Sequence, residues 1–149
     1  MIRGIHHVGL SVACLERSIE FYRDLVGMDV VIQAPFEGKL YETILGLAGA
    51  AGRAALLKFK GTDTGIELFE FQCPSPMRGD PNRPVCDHGI THFCMVVADL
   101  EREYSRLKSA GVRFHCGPCN FPGSGNQATY GRDPDGNVFE LLEAVEIPP

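Results

Sequence analysis

Apolar residues along the chain follow two rhythms, alternation and helical spacing, and the order of these rhythms occurs twice. Residues 4–12 alternate and are rich in β-branched side chains, which predicts a strand. Leu15, Ile19, Tyr22 and Val26 then fall at helical spacing and stop at Gly27, which predicts a helix over 15–26. Residues 28–33 read as a second strand, and the glycine-containing stretch 34–52 as a loop with room for a helical turn. Residues 53–59 and 65–72 read as a strand pair joined by the turn segment KGTDTG. The segment 73–88 holds four prolines and no periodicity, so it reads as a linker. The pattern then restarts. A strand at 89–97 precedes a helix with Asp99 as N-cap, Leu100, Tyr104 and Leu107 on one face, and Gly111 as its stop. Strands at 112–116, 126–131 and 138–144 follow, with a glycine-rich loop at 117–125 and a DPDGN turn at 133–137.

The repetition extends to the residues themselves. IHHVGLSVACLER (5–17) aligns with ITHFCMVVADLER (90–102) at a shift of 85, with seven of thirteen positions identical. Farther on, Glu67 in GIELFEF falls on Glu140 in NVFELLE at a shift of 73. The second half therefore lacks about twelve residues of loop (85 against 73). Two tandem strand–helix–strand–strand–strand modules, 4–72 and 89–145, joined through the linker 73–88, are the expected organisation of one α+β domain over 1–149.

Composition narrows the function classes. The chain has 149 residues and a formal net charge of -5, with both signs mixed. Phosphate recognition needs a clustered basic surface, so nucleic acid is not an expected partner. No apolar run reaches the roughly 18 residues of a membrane span. The N-terminus reads as a strand without the basic, apolar and small-residue regions of an export signal, so a cytoplasmic location is expected. The six cysteines are then expected to be reduced. CGPC at 116–119 has the spacing of a redox pair, but NFPGSGN after it cannot start the helix that stabilises a thiolate. No second Cys/His pair stands at zinc-knuckle spacing either.

Each module places one histidine in its first strand and one glutamate in its last: His7 and Glu67, then His92 and Glu140. Singly, each has an ordinary explanation. A strand histidine packs in a core, and alternation turns a strand carboxylate to solvent. Jointly they occupy equivalent places in two copies, and pseudo-twofold symmetry would bring them together. Two imidazoles and two carboxylates suit a divalent transition metal, whose charge makes enclosed carboxylates tolerable. His6 alternates away from His7 and is expected on the opposite side of the strand. His88 and His115 read as ordinary surface or core residues. Glu42, in the first loop, is a minor candidate for a second base, and Tyr130 and Phe93 are candidates for lining a substrate cup. Cys14 stands where the second copy has the N-cap Asp99, at a cost of about 1 kcal/mol.

Carried by HHVGLSV, LERSIEFYRDLVGM, GIELFEF, GITHFCMVVADLE and YGRDPDGNVFELLE, the chain resembles the vicinal oxygen chelate superfamily over nearly its whole length. That group includes glyoxalase I, methylmalonyl-CoA epimerase, extradiol dioxygenases, fosfomycin-resistance thiol transferases and bleomycin-binding proteins. The resemblance implies paired βαβββ modules forming an open, cupped sheet around a metal held by His7, Glu67, His92 and Glu140. The metal could be Ni, Co, Zn, Mn or Fe. A small-molecule substrate and a homodimer are implied in the same way. Glyoxalase- and epimerase-like members carry a ligand where Glu67 stands, whereas dioxygenases and fosfomycin enzymes typically use two histidines and one glutamate. Glu67 therefore favours a lyase or isomerase that transfers a proton next to a carbonyl through a metal-stabilised enediolate or enolate, with Glu140 or Glu67 as general base and acid. The alternatives are an Fe(II)-dependent extradiol-type dioxygenase and a non-catalytic drug- or metabolite-binding protein. YGRDPDGNVFE partly fits the dioxygenase signature, but the histidine that the signature has upstream of the tyrosine is missing from GSGNQATY.

Overall fold

Val8 and Leu10 alternate with His7, Gly9 and Ser11, and this run forms β1 (His7–Ser11). The computed structural model describes residues 1–145 of the chain, which divides into two units, Met1–Gly79 and Asp80–Pro149. In the first unit β1 is followed by α1 (Leu15–Glu20), β2 (Asp29–Phe36), α2 (Lys39–Leu45), β3 (Ala51–Lys58) and β4 (Gly65–Cys73). The strand order is β1-β4-β3-β2, with β1 parallel to β4 and the other pairs antiparallel. A parallel β1–β4 pair requires a long crossover, and α1, β2, α2 and β3 supply it.

Register divides the residues of β4 between two faces. Leu10 pairs with Leu68 and Val8 with Ile66, while Gly9 pairs with Glu67 and Ser11 with Phe69. Ile66 and Leu68 are buried, and so are Leu15 and Ile19 of α1, which packs on β3 and β4. Burial of each such aliphatic side chain contributes roughly 1.5–3 kcal/mol. The helix continues past Glu20 as a π-helical turn, Phe21–Leu25, in which Val26 N donates to Phe21 O at 3.0 Å. Cys14 gives α1 no side-chain cap, as expected. The opposite face of β4 carries Glu67, Phe69 and Phe71. Phe36, Tyr41, Phe69 and Phe71 form an aromatic cluster there, with ring centroids 5.3–5.8 Å apart.

The second unit repeats the plan with β5 (Phe93–Val96), α3 (Leu100–Ser109), β6 (Arg113–Phe114), β7 (Cys119–Asn120), β8 (Gln127–Arg132) and β9 (Val138–Glu143). The order is β5-β9-β8-β6, with β7 also paired to β8 and β5 parallel to β9. The Asp99 side chain caps α3 by accepting from Arg102 N at 3.0 Å, and Glu143 accepts from Leu100 N at 2.7 Å. Two of the four N–H groups left open at a helix start are thus satisfied by acidic side chains. The architecture is α+β with two βαβββ modules, as the repeat predicts.

Several expectations change in detail. The stretch 34–52 is not a loop: β2 runs on to Phe36, and residues 39–45 form α2. Its Leu40, Tyr41, Ile44 and Leu45 stand at helical spacing, yet none of its residues is buried, and Leu40 and Ile44 stay exposed. The strand expected at 89–97 is confined to Phe93–Val96, and that at 112–116 to two residues. A short strand, β7, arises inside the expected loop 117–125 because Cys119 and Asn120 find open partners on β8. Among the described residues no helix is long and apolar enough to cross a membrane.

Candidate metal centre

Within the first unit, His7 Nε2 lies 3.1 Å from Glu67 Oε2. Register accounts for the meeting. Glu67 stands opposite Gly9 in the parallel ladder, and His7 lies two residues before Gly9 on the same face. The pair is partly open, with the histidine side chain 40% and the glutamate side chain 28% exposed.

The second unit builds the same pair. His92, one residue ahead of β5, places Nε2 3.0 Å from Glu140 Oε2. Glu140 is only 9% exposed and sits between Phe139 and Leu141, both buried. Enclosed carboxylates of this kind are found with a partner. Glu140 faces Cys94 across the β5–β9 ladder and Tyr130 across β8–β9. The Cys94 thiol hydrogen-bonds the carboxylate, and burial first, then the Glu140 charge, pushes this thiol up to about 12. Burial, with the Glu140 charge added, also raises the Tyr130 phenol. Thr91 Oγ1 meets the other ring nitrogen of His92, Nδ1, at 2.9 Å.

The donor sets fit a divalent transition metal. Two ligand atoms held about 2.1 Å from one ion at right angles stand about 3.0 Å apart, and the two pairs measure 3.1 and 3.0 Å. Imidazole nitrogen with carboxylate oxygen is a donor set for such ions. Among the described residues no group of three or more His, Cys, Asp or Glu that could hold a metal ion occurs, and each unit by itself offers one His–Glu pair.

Other candidates resolve individually. Glu42 accepts from Gly49 N at 3.0 Å and lies 3.6 Å from Lys39, so it closes the turn after α2. Tyr130 does lie beside His92. Phe93 pairs with Phe139 in the ladder and lies on the face opposite Glu140, with its ring 6.5 Å from that of Phe139. His115 Nε2 accepts from Arg132 Nε at 3.0 Å; burial and the Arg132 charge lower its affinity for a proton. Strand β7, not a helix, begins at Cys119, the last residue of CGPC, and both thiols are free.

One expectation is overturned. His6 does not turn away from His7: the two Nδ1 atoms are 2.8 Å apart, and the rings meet edge to face. Strand β1 begins only at His7, so alternation does not fix the direction of the His6 side chain. Cys94, which sequence reasoning also passed over, was marked by its position two residues after His92 on a strand.

Comparison with known proteins gives a consistent picture. A model of the Glyoxalase/Bleomycin resistance protein/Dioxygenase superfamily matches residues 4–141. A 2-epi-5-epi-valiolone epimerase of Actinomyces sp. is 30% identical over 93% of this chain and 78% of its own length. A lactoylglutathione lyase-like protein of Aspergillus terreus is 33% identical over 97% of this chain and 77% of its own. Among solved structures, a glyoxalase family protein from Bacillus cereus superposes with a TM-score of 0.87 at 23% identity, covering 98% of this chain and 96% of that one, a likeness of fold.

Proposed function

Because the chain belongs to the glyoxalase/bleomycin resistance protein/dioxygenase superfamily, we propose that it is a divalent-metal-dependent lyase or isomerase that moves a proton on the carbon next to a carbonyl. His7, Glu67, His92 and Glu140 supply the metal ligands. The observation that carries this reading is the pairing of Glu67 with His7 in the same way as Glu140 with His92. A module that contributed only a histidine would have no reason to hold a carboxylate there. The relatives named as an epimerase and as a lyase-like protein add support.

A divalent ion at these side chains supplies Lewis-acid polarisation of the substrate's carbonyl oxygen. The glutamates then divide the remaining work. Glu67 is the more open of the two and offers Oε1, the oxygen not engaged with His7, as the atom that takes up and returns the proton. Glu140 is more enclosed, and the Cys94 thiol donates to it, which fixes the orientation of its carboxylate and suits a residue that holds the metal. The aromatic cluster of Phe36, Phe69 and Phe71 beside Glu67 keeps part of this face poor in water. A small-molecule substrate, a homodimer and a cytoplasmic location belong to the same proposal.

The test is deuterium exchange. Protein loaded separately with Ni, Co, Zn, Mn or Fe(II) is incubated in D₂O with 2-epi-5-epi-valiolone, lactoylglutathione and a panel of small ketones and thioesters. Metal-dependent deuterium incorporation, lost in Glu67→Gln, is the expected result. No exchange across the panel, or oxygen uptake with catechols by the Fe(II) form, would overturn the reading.

A further inference from the structure

Beside the His7–Glu67 pair runs a chain of contacts that the proposed chemistry leaves unused. Lys58 Nζ lies 3.2 Å from His6 Nε2, His6 Nδ1 lies 2.8 Å from His7 Nδ1, and His7 Nε2 lies 3.1 Å from Glu67 Oε2. Lys58 Nζ also donates to the Asp63 carbonyl at 2.7 Å.

The chemistry of the groups fixes the direction of every bond. An ammonium has only hydrogens to give, so His6 Nε2 must accept from Lys58. His6 then carries its proton on Nδ1 and donates it to His7 Nδ1. His7 in turn carries its proton on Nε2 and donates it to Glu67. All three contacts are satisfied, and all run one way, from Lys58 to Glu67.

A metal on His7 Nε2 cannot coexist with that direction. A ligating nitrogen needs its lone pair, so the His7 proton must sit on Nδ1, where a metal-bound histidine donates it to a neighbour. His6 Nδ1 is then the acceptor, and the His6 proton moves to Nε2, where it faces the Lys58 ammonium. Two donors cannot share that contact. Lys58 has its second acceptor, the Asp63 carbonyl, already in place.

We propose that His6 is the positioning residue of the His7–Glu67 pair, and that metal loading at His7 reverses the His6 tautomer and releases Lys58 from His6 to Asp63. This rests on the reading of His7 as a metal ligand. His6 orients His7 for the metal, and the Lys58 contact holds the metal-free direction of the chain.

The experiment uses the full-length protein, uniformly ¹⁵N-labelled, at one fixed pH, stripped with a chelator and then titrated with zinc. Two-bond ¹⁵N–¹H correlation spectra distinguish the two imidazole tautomers. His6 is expected to change from the Nδ1–H to the Nε2–H form as zinc binds, in step with the loss of the His7 Nε2 proton. In parallel, competition with a chromophoric chelator measures zinc affinity. His6→Ala is expected to weaken zinc binding by about 10- to 100-fold while leaving the melting temperature of the metal-free protein unchanged. His6→Asn, which keeps an acceptor, is expected to recover part of the loss. If zinc shifts His7 but His6 keeps one tautomer throughout, the inference is overturned and His7 remains a ligand. If zinc leaves His7 unchanged, or His7→Ala binds zinc as the parent does, the metal reading of His7 and the inference are overturned together.

Discussion

The Tyr130 ring lies against the His92 ring with centroids 4.6 Å apart, and its hydroxyl stands 3.4 Å from His92 Nε2. A contact of that length is a weak hydrogen bond, so the ring does most of the holding. Two substitutions separate the contributions. Tyr130→Phe keeps the ring and should change zinc affinity by no more than about threefold. Tyr130→Ala frees the imidazole and should weaken zinc binding by about 10-fold or more. Chelator competition on both variants is the measurement, and equal affinities would show that the ring does not position His92.

Cys116 Sγ and Cys119 Sγ are 3.8 Å apart. Cys119 has its thiol raised above the usual value of 9.0, first by the hydrogen bond with Cys116 and then by the charge of that neighbour. A raised thiol holds less thiolate at neutral pH and attacks disulfides slowly, the opposite of a CxxC exchange centre. Cys116→Ala should therefore speed alkylation of Cys119 at neutral pH. Peptide mapping after timed iodoacetamide exposure reads this directly, and an unchanged rate would remove Cys116 as the cause.

Arg53 on β3 binds Glu16 of α1 and Glu70 of β4 together, tying the helix to the sheet. The Arg53 hydrogen bond is the largest influence holding Glu16 below its ordinary value of 4.5. A carboxyl with a depressed folded-state value stabilises the fold above its unfolded value and loses that contribution as pH falls through the folded one. Glu16→Gln should therefore melt below the parent at neutral pH, and the gap should close as pH drops below 4.5. Thermal melts across that range check the sign. A gap constant with pH would assign the effect to packing.

Asp133 is buried and closes the DPDGN turn by accepting from Asp135 N, Asn137 N and Asn137 Nδ2 at 2.8–2.9 Å. Asp133→Ala should cost roughly 2–3 kcal/mol, because it strands donors that were satisfied. In the same turn Gly136 has φ +89°, and a Cβ there would stand 2.4 Å from Pro81 Cα. Gly136→Ala should thus cost about 1–3 kcal/mol. Urea unfolding of both variants tests the pair of values.

The elements that the sequence announced most closely are those whose partners lie within the segment or one turn away. The α1 stripe of Leu15 and Ile19, the Asp99 cap and the DPDGN turn are local physics, and each was formed where expected. Helix α2 was legible only as a helical turn within a loop, and strand β7 was not legible. α2 buries none of its residues, and β7 is a strand only because β8 offers Cys119 and Asn120 open hydrogen-bonding groups. The same limit explains His6. Alternation predicts a side chain's direction only inside a paired strand, and pairing in β1 begins one residue later.

The sequence by itself determined the two-copy plan and the α+β class and singled out His7, Glu67, His92 and Glu140 as candidates, because a repeated pattern of residue types needs no coordinates to be seen. Only the tertiary structure decided which of their neighbours matter. Gly9 faces Glu67 where Cys94 faces Glu140, the phenol of Tyr130 sits on His92, and Lys58 reaches His6 from a strand fifty-two residues away. Such contacts arise from strand register, which is set by the whole sheet and the core beneath it.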